Sequence, residues 1–226
     1  MSEWWTYRLS DFLLFSPRTY YRLFELYNAE VWPLQFVALA LGAALVILSV
    51  RREAWAARAM CVGLAACWLW VAWAFHWQRF VSINWAATWY AGAFAIQAAL
   101  LLGCAALKLP SHPAPRRLQF IGWGLLLVAL AGQPWLAVLL GRPFGQAEVF
   151  GLMPDPTAVA TLGLLLLTPR RSLGWLLWPI PVLWCWVSGA TLWALNAPEA
   201  WLLPALATLA LVAAFSPRLA ARWAAR

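Results

Sequence analysis

The sequence predicts an all-α fold: a polytopic membrane helix bundle of about seven transmembrane helices, preceded by an amphipathic helix at the membrane interface. Three observations carry this reading. Of 226 residues, 65% are hydrophobic and only 11% charged, with a mean hydropathy of +0.73, whereas roughly a quarter of residues in soluble domains are charged. Seven apolar runs approach the about 20 residues that a crossing needs, and short connections leave no length for a soluble domain. The basic residues stand at the ends of these runs and not on one amphipathic face, so the net charge of +8 speaks for membrane topology and against a nucleic-acid partner.

Residues 1–31 form an outer-face interfacial segment and residues 32–226 a single transmembrane bundle. The opening lacks a basic region followed by an apolar run and a small-residue cleavage site, so no cleavable signal peptide is expected. Ser16-Pro17 is a helix start, because Ser caps free N–H groups and Pro at the first position wastes no donor. The helix that follows, about 17–30, puts Tyr20, Phe24, Tyr27 and Val31 on one side and Arg18, Arg22 and Glu25 on another. That pattern suits a helix lying at an interface, not one crossing it.

The apolar runs are 32–50, 57–77, 86–107, 118–140, 156–168, 173–195 and 200–216. The fifth is short and is expected to begin inside the preceding loop or to lie at an angle. Pro179 and Pro181 in the sixth remove backbone hydrogen bonds and predict a kink. If the first run leads inward, the inner connections hold eleven basic residues: Arg51, Arg52, Arg58, Lys108, Arg116, Arg117, Arg170, Arg171, Arg218, Arg222 and Arg226. The outer side holds five, Arg8, Arg18, Arg22, Arg79 and Arg142, against seven acids. The positive-inside rule then puts the N-terminus outside and the C-terminus in the cytoplasm of a bacterial inner membrane. Arginine pairs precede the second, fourth and sixth runs, which suggests three tandem helical hairpins; the same pattern also follows from positive-inside bias alone.

The polar side chains are distributed unevenly in depth. Gln35, His76, Gln133, Thr157, Thr161, Ser188, Thr191 and Asn196 fall in the outer halves of their runs, Gln97 lies near the middle, and the inner half holds almost nothing polar. Since an intramembrane polar group needs a partner or water, the asymmetry predicts an outward-facing vestibule, with His76, Arg79, Gln97, Gln133, Glu148, Asp155 and Thr157 as ligand-binding candidates. Interhelical hydrogen bonding and ordinary loop charges would give the same distribution. His76 and Arg79 are one turn apart, so on a continued helix they share a face fit for an anion or a proton relay. Asp155-Pro156-Thr157 reads as a helix start with Asp155 as cap. Nineteen Trp exceed the need of two interfacial belts, so some are expected in the core.

Many chemistries are excluded. Only two His exist, and His112 lies on the opposite side from His76, so neither a three-His zinc site nor bis-His haem can form. The four Cys fall inside runs without a Cys-x-x-Cys spacing and read as small hydrophobes. There is no phosphate-cradling Gly loop, no Gly-x-Ser-x-Gly, no carboxylate pair within a span, and the one lysine, Lys108, is misplaced for a retinal Schiff base. No cofactor and no metal are expected.

The stretch Trp4-Trp-Thr-Tyr-Arg-Leu-Ser-Asp-Phe-Leu-Leu-Phe-Ser-Pro-Arg-Thr-Tyr-Tyr-Arg-Leu-Phe-Glu-Leu-Tyr-Asn28, with Pro154-Asp-Pro-Thr-Ala-Val-Ala-Thr-Leu-Gly163, resembles a bacterial family of integral membrane proteins known only as a domain of unknown function. The likeness covers nearly the whole chain. Members are sometimes labelled major-facilitator permeases; this chain departs from that label in having about seven spans and no paired six-span halves. The resemblance implies a membrane location and brings no residue roles. The functional expectation is a multi-pass protein that binds or transports a small ligand or ion. The alternatives are an accessory subunit of a membrane complex or homo-oligomer, and a membrane enzyme using His76 as acid or base on a lipid.

Overall fold

The computed structural model describes residues 15–51, 53–107, 114–167 and 173–215, and every regular element in them is helical. Residues 1–14 of the N-terminal segment, Arg52, Lys108, His112, Arg170, Arg171, Arg218, Arg222 and Arg226 lie outside the described residues.

Helix α1, Pro17–Glu30, starts as its sequence dictates: the Ser16 hydroxyl accepts the Thr19 N–H at 3.2 Å and Pro17 occupies the first turn. It buries Tyr20, Phe24, Tyr27 and Asn28. Because Pro33 disfavours helical geometry at the residue before it, the chain breaks there and turns by 90° into α2, Leu34–Ser49.

Helix α3, Ala54–Trp70, widens into a π-helical stretch, Val71–Trp77, and closes with a 3-10 turn, Phe80–Ser82. Helix α4 is Ala87–Ala106. Helix α5, Arg116–Leu127, passes through a π turn, Val128–Gly132, into α6, Gln133–Leu139. Pro134 explains that turn, since its ring lacks an N–H and collides with the carbonyl four residues back. Helix α7, Pro154–Leu167, follows, then a 3-10 turn, Leu173–Leu177, helix α8, Pro179–Ala194, and α9, Leu202–Phe215. The kink expected from the prolines of the sixth run is thus a change of helix type just before Pro179.

Of the about seven spans expected, the described residues show four to five helices that qualify by length and composition. Four are long and apolar enough to cross a membrane: Ala54–Ser82, Ala87–Ala106, Arg116–Leu139 and Gly174–Ala194. The bent pair α1–α2 makes a fifth if counted as one span. Helices α7 and α9 have 14 residues each, about 21 Å at 1.5 Å per residue, short of the ~30 Å hydrocarbon layer.

Sequential neighbours pack most extensively: α3 on α4, α5 on α7, and α8 on α9. At the centre lies α7, all 14 residues of which are buried, as expected of a helix apolar on all sides. It is pressed against α5 where Gly122 and Gly163 meet; a Cβ on either would lie 2.9 Å from the other's carbonyl oxygen. Small residues at such a point let two backbones approach closely. Three Trp, Trp68, Trp178 and Trp184, are buried in the core. Many exposed rings stand towards the two ends, Trp32, Trp77, Trp85, Trp89, Trp193 and Trp201 at one and Trp55, Phe120, Trp175 and Phe215 at the other, with Trp186 exposed between them.

Candidate functional site: a buried acidic cluster

The connection 141–153 and the 195–201 turn meet at the end of the bundle that the charge bias assigns to the outside, and α1 lies across them. Polar contacts hold α1 there. The Asn28 amide donates to the carbonyls of Gly145 and Ala147, both at 2.8 Å, and the Tyr27 hydroxyl donates to Leu152 O at 3.2 Å while accepting Trp70 Nε1–H at 2.9 Å.

Beneath this roof is the first turn of α7. The helix begins at Pro154, which suits a first helical position, so Asp155 is inside the first turn and is not its cap. Thr157 holds the turn that leads in: its hydroxyl accepts Gly151 N–H at 2.9 Å and donates to Met153 O at 2.7 Å. Gly151 has φ +77°, a conformation that favours glycine. Asp155 turns towards α8, where Oδ1 accepts Trp184 Nε1–H at 2.7 Å and Oδ2 accepts the Ser188 hydroxyl at 2.8 Å.

Glu148 completes this group. Its carboxyl lies close enough to the Asp155 carboxyl for the two to interact, and its buried Oε2 has no hydrogen-bond partner. Two carboxyl groups can share a hydrogen bond only through a proton. Burial first, and the negative charge of Asp155 second, push the Glu148 carboxyl well above the usual carboxylate range, so Glu148 carries that proton. A third carboxylate, Glu199, is 8% exposed and is neutralised by Arg142, whose Nη2 donates to Oε1 at 2.6 Å. The Tyr21 hydroxyl donates to the same oxygen at 3.1 Å, and the Arg142 guanidinium lies over the Tyr21 ring, 3.9 Å from its centre. Three carboxyl groups against one guanidinium, all partly or wholly withdrawn from water, favour retention of a proton.

The other candidates are placed apart. His76 is 0% exposed, and neither ring nitrogen has a partner. It packs against Phe94 at 4.5 Å and Trp184 at 4.9 Å, so the Trp184 indole stands between it and Asp155. The π stretch turns His76 inward while Arg79, beyond it, stays at the surface and binds Glu30 through Nε at 2.9 Å and through Nη2; the two do not share a face. Gln97 donates to Leu177 O at 3.1 Å with Oε1 unpartnered, and Gln133 is buried with Oε1 unpartnered. His76, Gln97 and Gln133 are thus buried in the packed interior, whereas Arg79 is at the surface. Among the described residues no group of three or more His, Cys, Asp or Glu has a metal-binding arrangement.

Sequence reasoning placed Glu148 and Asp155 together but missed Arg142, Tyr21, Trp184, Ser188 and Glu199. The available signal was economy of charge: three of eight acids fall in residues 148–155 and 195–201, two connections on one side.

A model described as a family of unknown function (DUF6064) matches residues 18–225. No curated protein and no solved structure matches the chain.

Proposed function

We propose that this chain, which belongs to the DUF6064 family of unknown function, is a multi-pass protein of the bacterial inner membrane, N-terminus outside and C-terminus in the cytoplasm, that binds or moves a small ligand or ion with a proton held at Glu148–Asp155. The observation that carries this reading is the close approach of two carboxyl groups, Glu148 and Asp155, at the buried start of α7. Enclosed acids of this kind mark proton or cation pathways in membrane proteins. The reading predicts a stability that depends on pH with a definite sign. Below about 4.5, the ordinary Glu value, folded and unfolded chains both keep the proton and the stabilisation is complete. As pH rises, the unfolded chain releases it and the folded chain does not, so stability falls by up to about 1.4 kcal/mol per pH unit until Glu148 ionises. Thermal unfolding of the detergent-solubilised protein across pH 4–8 tests this. Glu148→Gln keeps a donor to Asp155 without titrating and is expected to remove that slope and to raise the melting temperature at neutral pH. An unchanged slope in the variant refutes the assignment.

A second reading, an accessory subunit packed against another membrane protein, draws on α8, where Leu183, Trp186 and Trp193 are exposed along the helix and not only at its ends. The enzyme reading draws no support from His76, which reaches neither carboxylate through a hydrogen bond.

A further inference from the structure

We propose that the groove between α1 and the 3-10 turn Phe80–Ser82 binds an anionic phosphate ester, with Arg18, Arg22 and Arg79 holding the phosphate and Leu23, Leu26 and Ile83 bordering an apolar tail. The groove is a cavity of about 400 Å³ lined by these six residues together with Thr19 and Ser82. It is separate from the acidic cluster, so it stands or falls independently of the proton reading.

Its charge is arranged for an incoming anion. Arg18 and Arg22 are one turn apart on the exposed side of α1, and Arg79 faces them from the far wall. Two carboxylates fix the arginines without exhausting them. Glu25 takes Arg22 Nη1 at 2.6 Å, and Glu30 takes Arg79 Nε and Nη2. A guanidinium has five N–H donors in a rigid fork, so the Arg22 Nε and Nη2 donors stay available. Arg79 Nη1 is held only by weak contacts of 3.5 Å to Gln78. Arg18 forms no ion pair among the described residues, which leaves one cation uncompensated beside two partly engaged ones. Forked donors match phosphate oxygens in pairs, and arginine is favoured over lysine where that geometry matters.

The apolar border selects among phosphates. Leu26 is 55% exposed and Trp85, three residues after Ser82, is 68% exposed. Leu26 beside Arg18 and Arg22 on α1, a helix set at 90° to the one that follows it, and Trp85 just after the 3-10 turn form a surface wet on one edge and apolar on the other. A phosphorylated amphiphile fills both parts, whereas free phosphate fills only the first.

Thermal shift of the full chain in a neutral detergent distinguishes these sources. Short-chain phosphatidylglycerol, short-chain phosphatidylcholine and inorganic phosphate are added in separate arms, to wild type and to Arg18→Gln/Arg22→Gln. These two side chains are at the surface, so the variant is expected to fold; Arg79→Gln serves as a second variant on the opposite wall. Stabilisation by phosphatidylglycerol well above phosphatidylcholine, weakened about tenfold or more in apparent affinity by either variant, is expected. Stabilisation by inorganic phosphate alone, lost in the variants, would keep the phosphate site and assign it to a free anion. Equal responses to the two lipids, or responses that survive both variants, would overturn the proposal.

Discussion

Arg142 and Glu199 show how a single residue's value depends on its partner. Both are largely withdrawn from water, so removing one leaves the other charged and unpaired. Arg142→Met is expected to destabilise by roughly 3 kcal/mol, with much of the loss recovered in Arg142→Met/Glu199→Met, as chemical unfolding in detergent would measure. Trp184→Phe tests the neighbouring contact. It keeps the ring against His76 and Phe94 but deletes the donor to Asp155 Oδ1, and about 1–3 kcal/mol should be lost. The surface chemistry of these residues was legible in the sequence, their partners were not. Arg142 and Glu199 are 57 positions apart, and no periodicity links two loops that meet only when the helices beneath them pack. Asp155 misled for a local reason: Pro154 and Pro156 are both acceptable helix starts, and packing against α8 favoured the earlier one.

Among the elements, α7 has least tolerance for added volume. Gly163→Ala would push a methyl against the Gly122 carbonyl, which is backbone and cannot rotate away, so a loss of about 1–3 kcal/mol is expected. Gly92→Ala is the matched control. A Cβ there meets nothing within 4 Å, and the exchange should leave stability unchanged or raise it by up to about 1 kcal/mol. The positions of α1, α2, α4 and α9 follow closely from apolar runs and caps, because hydrophobic length and Ser-Pro signals are properties of contiguous residues. The π stretch at Val71–Trp77 has no such signature, and it alone turns His76 away from the face of Arg79. A helical wheel drawn at constant pitch could not have separated them.

At the scale of the whole molecule, exposed aromatic residues stand towards both ends of the long apolar helices. Trp55 and Trp77, at opposite ends of one continuous helical rod, are 22 residues apart, about 30 Å, which matches a bilayer's hydrocarbon core. The proposed orientation predicts that a single cysteine introduced at Gln146 reacts with a membrane-impermeant thiol reagent in intact cells, and that one at Arg116 reacts only after permeabilisation; the reverse pattern would invert the topology. The complete burial of α7 also bears on how the protein is made. A 14-residue segment carrying an aspartate and two threonines is a poor independent candidate for insertion during synthesis, and the partners of that aspartate, Trp184 and Ser188, emerge from the ribosome only later. Until α8 arrives, Asp155 lacks both of its neutral donors, which makes a chain stopped after residue 167 a natural substrate for membrane quality-control proteolysis.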